Sequence, residues 1–104
     1  MVLYNGGMGT DKLKSAKQME RHLKGISNHY RIAITLYLAT NKNATLIEII
    51  EAVNGNEKTI GEHVRRLALA GLVNKKYRGN YVEHKLSPYG EVFVNFLKQF
   101  QRIK

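Results

Sequence analysis

The residues best suited to chemistry are basic side chains that cluster in one quarter of the chain. Positions 58 to 85 hold seven Lys or Arg and two Glu, so this stretch carries five of the nine net positive charges. A surplus of this density favours an anionic partner, of which nucleic acid is the commonest. The side chains that we expect to contact it form two groups: a first basic group of Lys58, Thr59, Glu62, His63, Arg65 and Arg66, and a second basic group of Lys75, Lys76, Arg78 and Asn80.

The other reactive residue types do not form a catalytic or metal-binding pattern. The chain has no Cys, which excludes disulfides, thiolate metal sites and cysteine nucleophiles. The four His show no local ligand spacing, and the neighbouring Glu62 and His63 diverge by about 100° on a helix. The serines lack the nucleophile elbow of a hydrolase. We therefore expect no enzyme, no metal site and no cofactor.

The length and hydropathy of the chain limit the architecture. Its 104 residues, 43% of them apolar, are enough for one domain with an ordinary core. The longest nearly apolar stretch, residues 32–39, is far shorter than the roughly 20 residues of a membrane span. Three glycines indicate that residues 1–10 are a flexible lead and leave residues 11–104 for the fold. We expect no membrane partner.

Two helices precede the basic region. Residues 11–24 place apolar side chains at helical spacing, so they predict an amphipathic helix that Gly25 ends. Ser27 or Asn28 can cap the next helix, whose apolar residues lie on more than one side, as is typical of a central helix.

A third and a fourth helix are joined by a tight turn. Thr45 and Glu48 form a capping box that begins the third helix, and Asn54 with Gly55 ends it because both residues tolerate left-handed backbone angles. The fourth helix runs from Asn56 to about residue 70. Its buried stripe consists of Ile60, Val64 and Leu67, so most of the first basic group points away from the core. Residues 45–70 thus predict a helix-turn-helix.

The second basic group lies on a predicted β-hairpin. Residues 72–77 and 81–86 are β-prone, and residues 78–80 form the turn between them. The hairpin, residues 72–86, is a candidate wing that reaches DNA next to the helix. The alternative is an ordinary charged edge that discourages strand pairing.

A last helix, predicted over residues 88–103, carries all three phenylalanines on one stripe. Ser87 and Pro88 suit its N-cap and first turn. A terminal helix has little of its own domain to cover, so we expect the stripe to form a dimer interface with the first helix. The residues assigned to this interface are Leu13, Met19, Phe93, Phe96, Leu97 and Phe100. The alternatives are core packing or the wall of a pocket for an unidentified small effector.

Three segments resemble winged helix-turn-helix regulators of the ArsR type. Residues 23–34 read LKGISNHYRIAI, which is similar to the family opening LKALADPTRLRI. Residues 59–73 read TIGEHVRRLALAGLV, which resembles the recognition helix and its exit, TVSRHLxxLxxAGLV. Residues 86–90, LSPYG, resemble the joint between wing and last helix in MarR-like regulators.

The resemblance implies a mainly α fold with a β-hairpin, in the order α-α-α-α-β-β-α. It also implies a homodimeric, cytoplasmic, nucleoid-associated transcription regulator that binds double-stranded DNA. The chain departs from the family pattern at Gly55, Gly61 and Glu62, so the resemblance does not transfer an operator sequence. Since the segments used by metal sensors of this family contain neither Cys nor His here, we expect control by a non-metal signal or by the abundance of the protein itself.

Two other functions remain open at this point. A winged-helix module can present its basic face to an acidic protein instead of DNA. Tyr77 and Tyr81, which we expect to pack across the hairpin, can stack with RNA or single-stranded bases if they are exposed.

Overall fold

A computed structural model describes residues 13–104, and the proposed lead, residues 1–10, lies outside this range. Five helices and three strands follow one another in the order α-α-β-α-α-β-β-α. The helices are α1 (Ala16–Ile26), α2 (His29–Thr40), α3 (Leu46–Val53), α4 (Glu57–Leu69) and α5 (Pro88–Gln101), and the strands are β1 (Ala44–Thr45), β2 (Val73–Arg78) and β3 (Tyr81–Leu86). The predicted winged helix-turn-helix fold, mainly α with a β-hairpin, is confirmed.

Side-chain caps fix where the helices begin. Thr45 accepts a hydrogen bond from the Glu48 backbone, and the Glu48 carboxylate accepts one from the Thr45 backbone, which confirms the capping box. Asn28, Asn56 and Ser87 cap α2, α4 and α5 by accepting bonds from backbone N–H groups, so of the two candidates for α2, Ser27 and Asn28, the structure uses Asn28. In the turn after α3 only Asn54 adopts the left-handed conformation, with a φ of 56°. These local bonds fix the first residues of the four helices and the end of α3.

The sheet has three antiparallel strands in the order β1-β3-β2. Strand β1 pairs Ala44 with His84 and was not predicted, because two residues are too few to show a period. Strands β2 and β3 form the predicted hairpin, but its turn is shorter than expected: Arg78 pairs with Tyr81, and only Gly79 and Asn80 connect the strands. Gly79 has a φ of +60°, which suits glycine in a two-residue turn.

The core lies between α2, α3, α4 and the sheet. Its fully buried side chains include Ile34, Leu38, Ile49, Ile60, Leu67 and Leu72. The predicted stripe of α4, Ile60, Val64 and Leu67, is buried throughout. Because this stripe anchors α4, the opposite face of the helix is left at the surface.

The first helix differs from the prediction at both ends. It begins at Ala16 rather than near residue 11, because Ser15 and Gln18 form a capping box that starts it there. Gly25 does not end the helix but lies inside it. A side chain at this position would overlap Ala70 at the end of α4. The glycine therefore permits close packing of α1 against α4.

The last helix buries less of its aromatic stripe than a core helix would. Gly90 and Val94 are buried, Phe93 and Leu97 are half-buried, and Phe96 and Phe100 are exposed. The helix ends at Gln101. Core packing, one of the alternatives for this stripe, is therefore wrong for Phe96 and Phe100.

Candidate nucleic-acid interface

The exposed face of α4 carries most of the first basic group. Lys58, Thr59, Arg65 and Arg66 are exposed, on the sides of the helix that the buried stripe leaves free. Asn56 caps the helix by accepting a bond from the Thr59 backbone, so Lys58 and Thr59 lie in its first turn. This arrangement presents three cations and a hydroxyl along one accessible ridge.

Glu62 neutralises part of this ridge. Its carboxylate accepts two hydrogen bonds from Arg65, at 2.9 and 2.8 Å, and one from Arg66, at 3.1 Å. These bonds lower the pKa of Glu62 to about 2, so the group stays ionised at any physiological pH. The pairing that sequence spacing allows, Glu62 with Arg65 or Arg66, is thus formed with both arginines.

His63 points toward α2 rather than along the exposed ridge. Its Nδ1 accepts a hydrogen bond of 2.9 Å from Arg31 Nη1, and its ring stacks on Tyr30 with the ring centroids 5.5 Å apart. An arginine can only donate, so Nδ1 carries no proton in this bond. Burial lowers the pKa of His63, and the Arg31 and Arg66 cations lower it further.

Arg31 is a residue of this site that sequence reasoning missed. It is only 9% exposed, and its Nε donates a bond of 2.7 Å to the Gly25 carbonyl in addition to the bond with His63. Burial and the neighbouring Arg66 lower its pKa. The family-like segment 23–34 contained the residue, but nothing in the sequence showed that it would reach α4.

The wing carries the second basic group on two different faces. Opposite residues of an antiparallel pair share a face, so Lys75 and Tyr77 lie on the side of His84 and Val82. Lys76 and Arg78 lie on the other side, where Arg78 bonds to Glu83 at 3.3 Å. Lys75, Lys76, Arg78 and Asn80 are all exposed.

A groove of about 350 Å³ separates the wing from the helix-turn-helix. The wing contributes Lys75, Tyr77 and Asn80, and the helices contribute Ile47 and Gly61. Tyr77 and Tyr81 are exposed, so the expectation that they pack across the hairpin is wrong.

The residues assigned to a dimer interface lie on α1, on the segment before it, and on α5. Phe96 is 57% exposed and Phe100 61% exposed, and their rings stack with centroids 5.6 Å apart. Leu13 and Met19 are also exposed. Two apolar grooves flank this face, one of about 450 Å³ beside Phe96 and Phe100 and one of about 250 Å³ between Met19 and Phe93.

The described part of the chain contains no cluster of three His, Asp or Glu that could hold a metal ion. Within residues 13–104, no helix is long and apolar enough to cross a bilayer.

A tight turn joins α3 to α4, one face of α4 is exposed, and the three-stranded sheet ends in a basic hairpin. Together these features define a winged helix-turn-helix. Solved structures of transcription regulators share it. The repressor BigR from Xylella fastidiosa is 17% identical, with a TM-score of 0.74 over 86% of this chain and 91% of its own. The regulator HlyU from Vibrio vulnificus CMCP6 is 20% identical, with a TM-score of 0.70 over 82% and 88%.

A third similar structure is the homodimeric winged helix-turn-helix DNA-binding domain of Mb0332 from Mycobacterium bovis. It is described as a possible ArsR-family transcriptional regulator. It is 24% identical, with a TM-score of 0.69 over 82% of this chain and 76% of its own. None of the three is described as an enzyme. No family model matches the sequence, and no curated protein does. The likeness therefore establishes the fold.

Proposed function

We propose that this protein is a homodimeric transcription regulator that binds double-stranded DNA. The observation that carries the proposal is the position of the two basic groups. The first lies on the exposed side of α4 and the second on the wing of the same fold. An α-helix fits the major groove, and a hairpin tip can reach the neighbouring minor groove or phosphates.

In this proposal α4 is the recognition helix. Lys58 and Thr59, in its first turn, are placed to meet base edges, where Lys suits guanine. Glu62 can accept a bond from cytosine N4 if the bases displace its arginine partners. Arg31 engages Nδ1 of His63, which leaves Nε2 as the ring nitrogen for contact with a base.

The wing supplies affinity and shape recognition. Lys75 and Lys76 lie on opposite faces of the hairpin, so they would contact phosphates on either side of it. Arg78 and Asn80 stand at the tip, where an arginine favours the narrow minor groove of A·T-rich DNA.

A second copy of the chain is the proposed occupant of the aromatic face on α1 and α5. A twofold dimer would present two recognition helices to successive major grooves. The similar Mb0332 domain is described as homodimeric, which supports this arrangement.

A duplex titration at several salt concentrations tests the function. Release of counterions from phosphates makes log K fall linearly with log salt, with a slope of about −0.9 per phosphate contacted. We expect a steep slope for duplex DNA. Absence of duplex binding, together with tight capture of an acidic polypeptide, would replace the proposal by a protein-interaction module. Preference for RNA or single strands would instead point to stacking on Tyr77 and Tyr81.

A further inference from the structure

Helix α1 has a basic face that neither the recognition helix nor the wing includes. Lys17, Arg21 and Lys24 follow one another at helical spacing, and all three are exposed. Met19 and Leu23 lie on the opposite side of the helix. The apolar side belongs to the proposed dimer face, and the basic side lies outside that interface.

This basic face is fixed to the end of α4. Arg21 Nη2 donates a hydrogen bond of 2.9 Å to the Leu69 carbonyl. A cavity of about 230 Å³ lies at this junction, and its lining includes the cations Arg21, Lys24, Arg31 and Arg66. None of the described residues that line it is acidic.

The positive charge at this junction is only partly compensated. Arg31, although buried, bonds to the neutral acceptors Gly25 O and His63 Nδ1 instead of a carboxylate. Buried cations are usually paired, and the neighbouring Arg66 contributes to the lowered pKa of Arg31. Two acidic residues of α1 and α4 form ion pairs at the surface. Glu20 pairs with Lys24 at 3.1 Å, and Glu62 pairs with both Arg65 and Arg66.

The same cations connect α1 with the recognition helix. Arg31 and Arg66 also line a second cavity, of about 530 Å³, together with Lys58 and Thr59 and with His63 and the arginine-paired Glu62. The two cavities therefore adjoin at these arginines. A positive surface runs from the first turn of α4, past Arg66 and Arg31, to Lys24 and Arg21.

We infer that this edge of α1, Arg21 and Lys24 backed by Arg31 and Arg66, binds backbone phosphates of the DNA that α4 reads. The inference rests on the proposed function and adds a third contact to the recognition helix and the wing. A polyanionic strand matches a continuous row of cations, and arginine and lysine are the side chains that bind phosphate in proteins. A backbone contact adds affinity for every sequence and discriminates between none.

The test compares Lys24→Gln with Lys98→Gln, which removes an exposed lysine from α5. Lys24 bonds only to Glu20 among the described residues, so its loss leaves the packing intact. Duplex affinity is measured between about 50 and 200 mM salt, on several sequences. We expect Lys24→Gln to reduce the magnitude of the salt slope by about 0.9 per subunit, or about 1.8 for the proposed dimer, for every sequence, and Lys98→Gln to leave it unchanged. The double variant Lys24→Gln/Arg21→Gln should lose about twice as much, with folding checked by circular dichroism.

The outcomes separate this inference from the proposed function. If the wild type binds DNA and Lys24→Gln has the wild-type slope, the α1 contact is refuted and the regulator remains. If Lys24→Gln weakens binding to one sequence only, the lysine contacts a base and the backbone assignment is wrong. If the wild type binds no duplex, both proposals fall together.

Discussion

Glu62 controls how much of the charge on the recognition helix is available to a ligand. Its carboxylate holds Arg65 in a two-bond pair and Arg66 in a single bond, all on the exposed side of α4. A phosphate that approaches this ridge must compete with Glu62 for both arginines, because each guanidinium bond is directional. In the proposed DNA complex the acid therefore lowers affinity for DNA in general and leaves room for selection by sequence.

Glu62→Gln should raise the affinity of the protein for random-sequence duplex. The amide keeps the size of the side chain but gives up the charge, so Arg65 and Arg66 become free to bind phosphates. We expect the salt slope to steepen by up to about 1.8 per subunit, about 0.9 for each freed arginine, measured by fluorescence anisotropy. Equal or weaker binding of random duplex by the variant would contradict this role of Glu62.

His84 is a buried imidazole at the root of the wing. Its Nδ1 bonds to the Ala44 carbonyl at 2.9 Å, so the ring connects β3 with β1. Burial lowers its pKa, and the Lys75 cation acts in the same direction, while the bond to Ala44 opposes them. The folded protein therefore holds this histidine neutral at a pH where the unfolded chain already takes up the proton.

Stability should accordingly fall as pH drops below about 6.5, the ordinary pKa of an imidazole. A lowered pKa in the folded state means that the unfolded state binds more protons in this window, and acid favours the state that binds more. His84→Gln should flatten the dependence of the free energy of unfolding on pH between about 7.5 and 5, followed by urea denaturation. Some dependence should remain, because the pKa of His63 is lowered too. His29→Gln, at an exposed position, serves as control. If the free energy of unfolding of His84→Gln depends on pH as steeply as that of the wild type, the assignment to His84 is refuted.

At the scale of elements, glycines decide how closely the helices approach their neighbours. A side chain on Gly90 would overlap the Leu72 carbonyl oxygen, so α5 can leave the wing at this angle only with glycine there. Gly61 is different, since the nearest atom to a side chain at that position is Leu46 Cδ2, at 4.0 Å. Substitution by alanine can therefore be compared at a crowded position, Gly90, and at an open one, Gly61.

Gly90→Ala should destabilise the protein by about 1–3 kcal/mol, because backbone cannot yield as a flexible side chain can. Gly61→Ala should stabilise it by about 0.5–1 kcal/mol, since alanine loses less conformational entropy in a helix. Both changes in the free energy of unfolding are to be measured by urea denaturation of the two variants and the wild type. A neutral Gly90→Ala would show that α5 can shift away from the wing.

At the scale of the whole molecule, the described residues 13–104 leave the outer part of the aromatic face on α5 exposed. Phe96 and Phe100 stack on each other and remain exposed on the same side of the helix. A contiguous apolar patch of this kind usually marks an interaction surface. In the proposed dimer it covers the same face of a second copy.

Phe96→Glu/Phe100→Glu should convert the dimer to a monomer, because two carboxylates would lose their water at the interface. Sedimentation equilibrium should give the mass of one chain for this variant and of two for the wild type. Ile47→Glu, which alters an exposed apolar residue of α3, should stay dimeric. A monomeric wild type would remove the second copy from the proposal.

The starts of α3, α4 and α5 and the hairpin could be predicted from the sequence because they depend on neighbours along the chain. The Thr45–Glu48 box, the Asn56 cap and the Ser87–Pro88 start each use bonds within one turn. The exposed side of α4 could be predicted too, since Ile60, Val64 and Leu67 repeat at the helical period. These local rules sufficed to place most of the first basic group at the surface.

Other features depend on which element lies opposite, and the sequence alone did not specify them. The inclusion of Gly25 in α1, the short strand β1 and the exposure of Phe96 follow from packing between distant segments. The bond between Arg31 and His63 joins residues that are 32 positions apart. The sequence by itself thus determined the order of the five helices and the hairpin and the sites of positive charge. Only the tertiary structure decided which cations stand together, because that depends on how the α1–α2 corner packs against α4.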